Sequence, residues 1–125
     1  MSTTPWHVPG DHVTPINRNK LLDELRDQPE LITRLLHVFA TETEKDINDL
    51  AAAIAGLDSA RVRSIAHRLK GSAATVGAEP LRAEAERIEG YCRQGQLQQA
   101  SDRMSCLYAE LKRFYSYMYE MDASE

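Results

Sequence analysis

What most constrains this chain is a succession of helical stripes. From Pro29 onward, apolar residues recur at three- and four-residue multiples, and no segment sustains the period-two alternation of a half-buried strand. Ile32, Leu36, Phe39, Ile47, Leu50, Ile54 and Leu57 form a first stripe. Val62, Ile65, Ala66, Leu69, Ala73 and Val76 form a second, and Leu81, Ala85, Ile88 and Cys92 a third. Leu97, Ala100, Met104, Leu107, Leu111, Phe114 and Met118 form a fourth, spaced like a bundle seam. A helix that is apolar along one stripe must bury it against its neighbours, so the spacing predicts an all-α fold.

Punctuation sets the element boundaries. Pro29 suits the first turn of a long helix. Thr43 and Asp46 interrupt its stripe, which predicts a bend or a wetted patch there. Asp58 or Ser59 can cap the second helix, running to about Val76, and Gly77 can end it in the left-handed conformation. Glu79 and Pro80 open the third helix and Gly95 closes it. The fourth is expected from about Gln96 to Met121, flanked by Tyr108 and Tyr115. Upstream, Asn17 can cap a short helix from about Arg18 to Asp27, with Leu21, Leu22 and Leu25 as its apolar side. Short connections between long amphipathic helices make antiparallel neighbours. The expectation is an up-and-down antiparallel four-helix bundle with a short extra N-terminal helix. It spans residues 17–121, between an extended tail at 1–16 and a C-terminal tail at 122–125.

Composition narrows the function classes. The 125 residues, 42% hydrophobic, suffice for one domain with one modest core. A formal net charge of −4 does not suit a nucleic-acid binder. The acidity is uneven, however. From Ser59 to Ala78 there is no Asp or Glu, yet Arg61, Arg63, Arg68 and Lys70 all fall there. Cys92 and Cys106 form no CxxC and read as reduced thiols packed in a core; a zinc site needs more ligands at tighter spacing. No apolar run approaches the ~18 residues of a membrane span. The start, MSTTPWHVPGDH, lacks the features of a signal peptide. A cytoplasmic protein without nucleic-acid or membrane partners is expected.

One histidine does not fit the core. With the second stripe set at zero and about 100° per residue, His67 falls about 140° away and Gly71 about 180°. Arg63, Lys70 and Ala74 lie between about 80° and 120°, and Ser64 near about 200°. An exposed imidazole therefore has a lysine at i+3, a glycine at i+4 and an arginine at i−4. Glycine inside a helix costs about 1 kcal/mol relative to alanine. On a solvent face, core crowding does not explain it; close approach of another molecule would. Positive charge around an open imidazole suits an anion such as phosphate. Neutral imidazole, with a reference pKa of about 6.5, is a good nucleophile and can carry a phosphoryl group. Spacing alone leaves this reading open beside that of an ordinary surface histidine. Other motifs fail. His7 and His12 fall in the tail, and His37 has no basic ring around it. The Lys70-Gly71-Ser72 triplet lacks the earlier glycine and preceding strand of a phosphate-binding loop, and HExxH and GxSxG are absent.

The run Ala66-His67-Arg68-Leu69-Lys70-Gly71-Ser72-Ala73-Ala74, followed by Gly77-Ala78 and Leu81, resembles the signature of histidine-containing phosphotransfer (HPt) domains. The stretch from Leu35 to Leu57 resembles the family's preceding helix. The resemblance implies that His67 is the phosphoacceptor on its outer ring nitrogen, that Lys70 contacts the phosphoryl oxygens and that Gly71 clears room for a partner. It implies an imidazole-orienting role for Glu89, which otherwise reads as an ordinary helix-surface glutamate. Arg63, Ser64, Arg68 and Ala74 are the expected docking residues. The implied partners are receiver domains of response regulators and hybrid sensor kinases, which bring the Mg²⁺. This chain would be a monomeric carrier without kinase activity, without a metal or cofactor of its own. It would take the group from one receiver aspartate and pass it to another. Two alternatives remain: a receiver-binding module without transfer, or a metal-binding bundle, which would want inward-facing His and Glu pairs.

Overall fold

The computed structural model describes residues 28–123. Five helices follow in order: α1 (Pro29–Ala55), α2 (Ser59–Val76), α3 (Glu79–Arg93), α4 (Leu97–Asp102) and α5 (Met104–Ala123). There is no strand among the described residues. The expected helix over Arg18 to Asp27 and the tail at 1–16 lie outside them. α1 packs on α2 and α5, α2 on α3, and α3 on α4 and α5. The four long helices thus close an antiparallel up-and-down ring, and α4 leads into α5. Leu36, Ile47, Leu50, Leu69, Leu81, Ile88, Leu107 and Phe114 are fully buried inside it. The rings of Phe39 and Phe114 meet edge to face with centroids 5.2 Å apart. Each such side chain contributes about 1.5–3 kcal/mol by leaving water.

The helix ends follow the local chemistry. Asp58 caps α2 by accepting from the Arg61 amide at 3.1 Å. At the other end Gly77 takes φ 74°, and the next amide, Ala78, reaches back to the Ala73 carbonyl at 2.8 Å. Gly95 closes α3 in the same way, with φ 74° and the Gln96 amide on the Tyr91 carbonyl at 2.8 Å. The first of these turns sends α3 straight back along α2, which places the functional face.

Several expectations need correction. Leu57 does not belong to the core. α1 ends at Ala55, Leu57 takes φ 55°, and it is 77% exposed. The Asp58 amide bonds the Ala53 carbonyl at 2.9 Å, so Leu57 holds the left-handed slot that a glycine would fill. Thr43 and Asp46 do not interrupt α1, which runs unbroken through them, and they make no wetted patch. Both are buried, and Asp46 accepts from Arg68 of α2 at 2.7 Å, so a pair across the seam takes up the charge that interrupted the stripe. The Thr43 hydroxyl has no hydrogen-bond partner among the described residues.

The expected fourth helix is two segments, and α5 continues to Ala123. At the junction the Arg103 amide is shared between the carbonyls of Gln99 at 3.2 Å and Ala100 at 3.1 Å, a tightened turn. Its guanidinium is held by Glu84 of α3 through contacts of 2.6–3.0 Å. Cys92 is buried, with its thiol donating to the Ser59 carbonyl, whereas Cys106 is only half-buried.

Replacing Leu57 by glycine should relieve the left-handed strain and lose little packing. After allowance for the greater freedom of the unfolded glycine chain, Leu57→Gly is expected to gain about 0.5–1 kcal/mol. Urea unfolding checks this. A loss of stability would show that Leu57 packs against something in solution.

Candidate functional site

α2 has α1 on one flank and α3 on the other, and its polar side chains divide accordingly. Arg68 turns to α1 and is tied to Asp46. His67 and Lys70 turn to α3 and meet one carboxylate, Glu89. Glu89 sits in the turn of α3 between the buried Ile88 and the open Gly90, and its side chain is only 4% exposed. Its Oε2 lies 2.8 Å from Nδ1 of His67, and its Oε1 accepts from Nζ of Lys70 at 2.7 Å. Arg93, one turn along α3, brings its guanidinium to 3.6 Å from Oε2.

Burial pushes the Glu89 carboxyl up. The hydrogen bonds from Lys70 and His67, with the charges of both, outweigh burial and hold the carboxyl below the usual carboxylate range. An ionised carboxylate can only accept, so Nδ1 carries a hydrogen toward Glu89, and in the neutral ring the lone pair is then on Nε2. No described residue bonds Nε2, and the His67 side chain is 70% exposed. The fold therefore selects one tautomer whenever the ring is neutral, with Nε2 unbonded among the described residues, and holds an ammonium through the shared carboxylate.

The surroundings are low. A β-carbon on Gly71 would meet nothing within 4 Å, so this glycine is not there for packing. Beside His67, a cleft of about 500 Å³ is lined by Ala60, Arg63, Ser64, His67, Glu89 and Arg93. Of the expected docking residues, Arg63 and Ser64 line that cleft, Ala74 is half-buried a turn beyond Lys70, and Arg68 lies on the α1 flank. The structure thus brings together His67, Lys70, Gly71 and Glu89, and separates Arg68 from them. It adds Arg93, which the sequence reading missed; its position at i+4 from Glu89 was the available signal. Among the described residues no group of His, Cys, Asp and Glu could hold a metal ion, and no helix is long and apolar enough to cross a membrane.

Residues 34–117 match the family model of the Hpt domain, and the chain belongs to that family. It is a histidine phosphotransfer protein of phosphorelays; domains of this family are phosphocarriers and interact with receiver domains of two-component systems. Among solved structures it is similar to histidine-containing phosphotransfer protein B (HptB) from Pseudomonas aeruginosa PAO1. That match has 22% identity over 89% of this chain and 96% of the other, with a TM-score of 0.78. It is also similar to the maize histidine-containing phosphotransfer protein ZmHP2, at 20% identity over 86% and 81% of the two chains, with a TM-score of 0.71. These two likenesses carry the fold. No curated protein matches the chain in sequence.

The depressed Glu89 carboxyl has a pH signature. A group whose folded pKa lies below its unfolded value, about 4.3 for glutamate, stabilises the fold above that value. The contribution drains as pH falls through the folded pKa. Glu89→Gln should therefore be less stable than wild type near neutrality, by roughly 1–2 kcal/mol for the charge-assisted bonds lost. The gap should close below about pH 4. Urea unfolding across pH 3–7 reads it, and a gap that does not change with pH would contradict an ionised Glu89.

Proposed function

We propose that His67 is the phosphoacceptor of this chain, taking a phosphoryl group from the aspartate of one receiver domain and delivering it to another. The observation that carries the proposal is the Glu89 bridge, which engages His67 Nδ1 and Lys70 Nζ on its two oxygens and leaves Nε2 free. In the forward step the Nε2 lone pair attacks phosphorus in line. The Nε2–P bond forms, the bond from phosphorus to the aspartyl oxygen breaks, and the carboxylate leaves with the electron pair. The hydrogen on Nδ1 stays in its bond to Glu89, whose charge stabilises the cationic ring that forms. Lys70 supplies positive charge to the phosphoryl oxygens, and Gly71 clears the approach of the partner. Positioning and charge neutralisation are what such a transfer chiefly asks of a protein.

The group arrives as an acyl phosphate, already activated, so the carrier role calls for no nucleotide chemistry here and we assign no kinase step to the chain. Mg²⁺ belongs to the receiver in this reading, and the place of action is the cytoplasm. Arg63, Ser64 and Ala74 flank the docking face, and Arg68 lies beyond its α1 edge.

Incubation with a phosphorylated receiver should label His67 alone, giving an acid-labile, alkali-stable phosphoramidate. His67→Gln should fold normally and take no label; full labelling of that variant would overturn the assignment. Lys70→Ala should slow transfer or shorten the phosphohistidine lifetime by tenfold or more, since one charge-assisted contact is worth roughly 1.5–3 kcal/mol.

Gly71 separates stability from function. With open space at its β-carbon, Gly71→Ala should gain about 0.5–1 kcal/mol and lose little activity. Gly71→Gln should fold and yet transfer poorly from a receiver. Thermal unfolding and transfer rates on the same variants decide it, and normal transfer by Gly71→Gln would remove the docking role.

A further inference from the structure

In this acidic chain most arginines of the bundle are closed on the chain's own carboxylates. Arg68 is paired with Asp46, Arg82 with Glu79 and Glu86, Arg87 and Arg103 with Glu84, and Arg113 with Glu110. Arg34, Arg61 and Arg63 are not so closed, and of these Arg63 lines the cleft beside His67. Arg63 has no hydrogen bond or ion pair among the described residues, and it lines the cleft. Arg93 lines the opposite wall, 57% exposed, and reaches Glu89 only at 3.6 Å. Both oxygens of Glu89 are already taken by shorter bonds from His67 and Lys70. Glu89 is the only carboxylate in the lining, beside two arginines, one from α2 and one from α3.

Resting on the acceptor reading of His67, we propose that Arg63 and Arg93 form an anion-recognition subsite that receives an acidic side chain of the docking receiver domain. Three features favour a partner carboxylate over the transferred group. The cleft, at about 500 Å³, far exceeds one phosphoryl group. It runs from His67 toward the N-terminus of α2, past Ser64 and Arg63 to Ala60, whereas Lys70 is not in its lining. The small, exposed Ala60 at its end leaves room for another protein's side chains. A guanidinium offers a planar fork matched to a carboxylate, and charges at the edge of a docking face govern encounter and register.

The test separates docking from chemistry. Binding of a receiver domain that labels the wild-type chain is measured by fluorescence anisotropy in a His67→Gln background, so no transfer occurs. There, Arg63→Gln and Arg93→Gln should each raise Kd by roughly three- to tenfold, and binding should become less sensitive to salt. Arg63→Lys and Arg93→Lys should restore part of the affinity and serve as the folded controls. With His67 present, the single variants should need more receiver for half-maximal transfer, while the rate at saturating receiver and the phosphohistidine lifetime stay at wild-type values. Unchanged Kd in the double glutamine variant would overturn the subsite. So would a shortened phosphohistidine lifetime or a lower saturated rate in either variant, which would put the arginines on the phosphoryl group instead. Labelling that survives in His67→Gln strikes the acceptor assignment alone, because the binding arm is read in that same variant.

Discussion

The site depends on one buried carboxylate. Glu89 is carried almost out of water by α3, and an unpaired ion there would cost several kcal/mol. Two groups of α2 meet it, one on each oxygen: the His67 ring and the Lys70 ammonium. Because the bonds are made across a helix seam, they fix how far α3 can slide along α2. Because one donor is an imidazole, they also fix which ring nitrogen holds the hydrogen. Register and tautomer are set by the same contact.

That contact belongs to a wider scheme. Asp46 and Arg68 join α1 to α2, Glu89 joins α3 to His67 and Lys70 of α2, and Glu84 joins α3 to Arg103 at the α4–α5 junction. Each seam has a buried acid on one helix and a partly exposed cation on the next. Such pairs add little net stability compared with apolar packing, but breaking one leaves a buried charge without a partner, so a shifted register is penalised. The apolar stripes alone would tolerate sliding by a turn. At Asp46 and Glu84 the cation is an arginine, and the pair is closed. Only at Glu89 does the carboxylate also hold a group with a free nucleophilic atom.

The stripes were legible in the sequence because helical periodicity is local, and so were the glycine turns at Gly77 and Gly95, where φ is positive. His67, Lys70 and Gly71 stood out for a related reason: they share one helix, so their spacing alone places them together. Features built across helices were hidden. Asp46 looked like a wet interruption because its counter-charge is on α2, and Glu84 drew no attention because Arg103 is on another element. Leu57 looked like core because its spacing continues the stripe. The chain had already turned by then, with the left-handed slot falling one residue after Gly56. Arg93 was missed because its significance depends on the cleft that α2 and α3 make together.

The burial of Glu89 and the exposure of His67 serve the same end. A carboxylate in full solvent would hold an imidazole loosely and share its charge with water. Here burial concentrates the interaction, and the Lys70 bond prevents burial from neutralising the acid, since the net effect on the carboxyl is a lowered pKa. Glu89 therefore remains an acceptor throughout the physiological range, and the tautomer of His67 is decided by the fold rather than by the medium. In the proposed transfer the ring becomes more cationic as it takes up the phosphoryl group, and the acceptor that set the tautomer is already in place to stabilise that charge. In the same proposal Lys70, bonded to the other oxygen of Glu89, turns part of its charge toward the new oxygens while Glu89 keeps its bond to Nδ1. The groups that the proposed transfer needs preorganised are those joined through this one side chain, and on the face beside them Gly71 leaves open space.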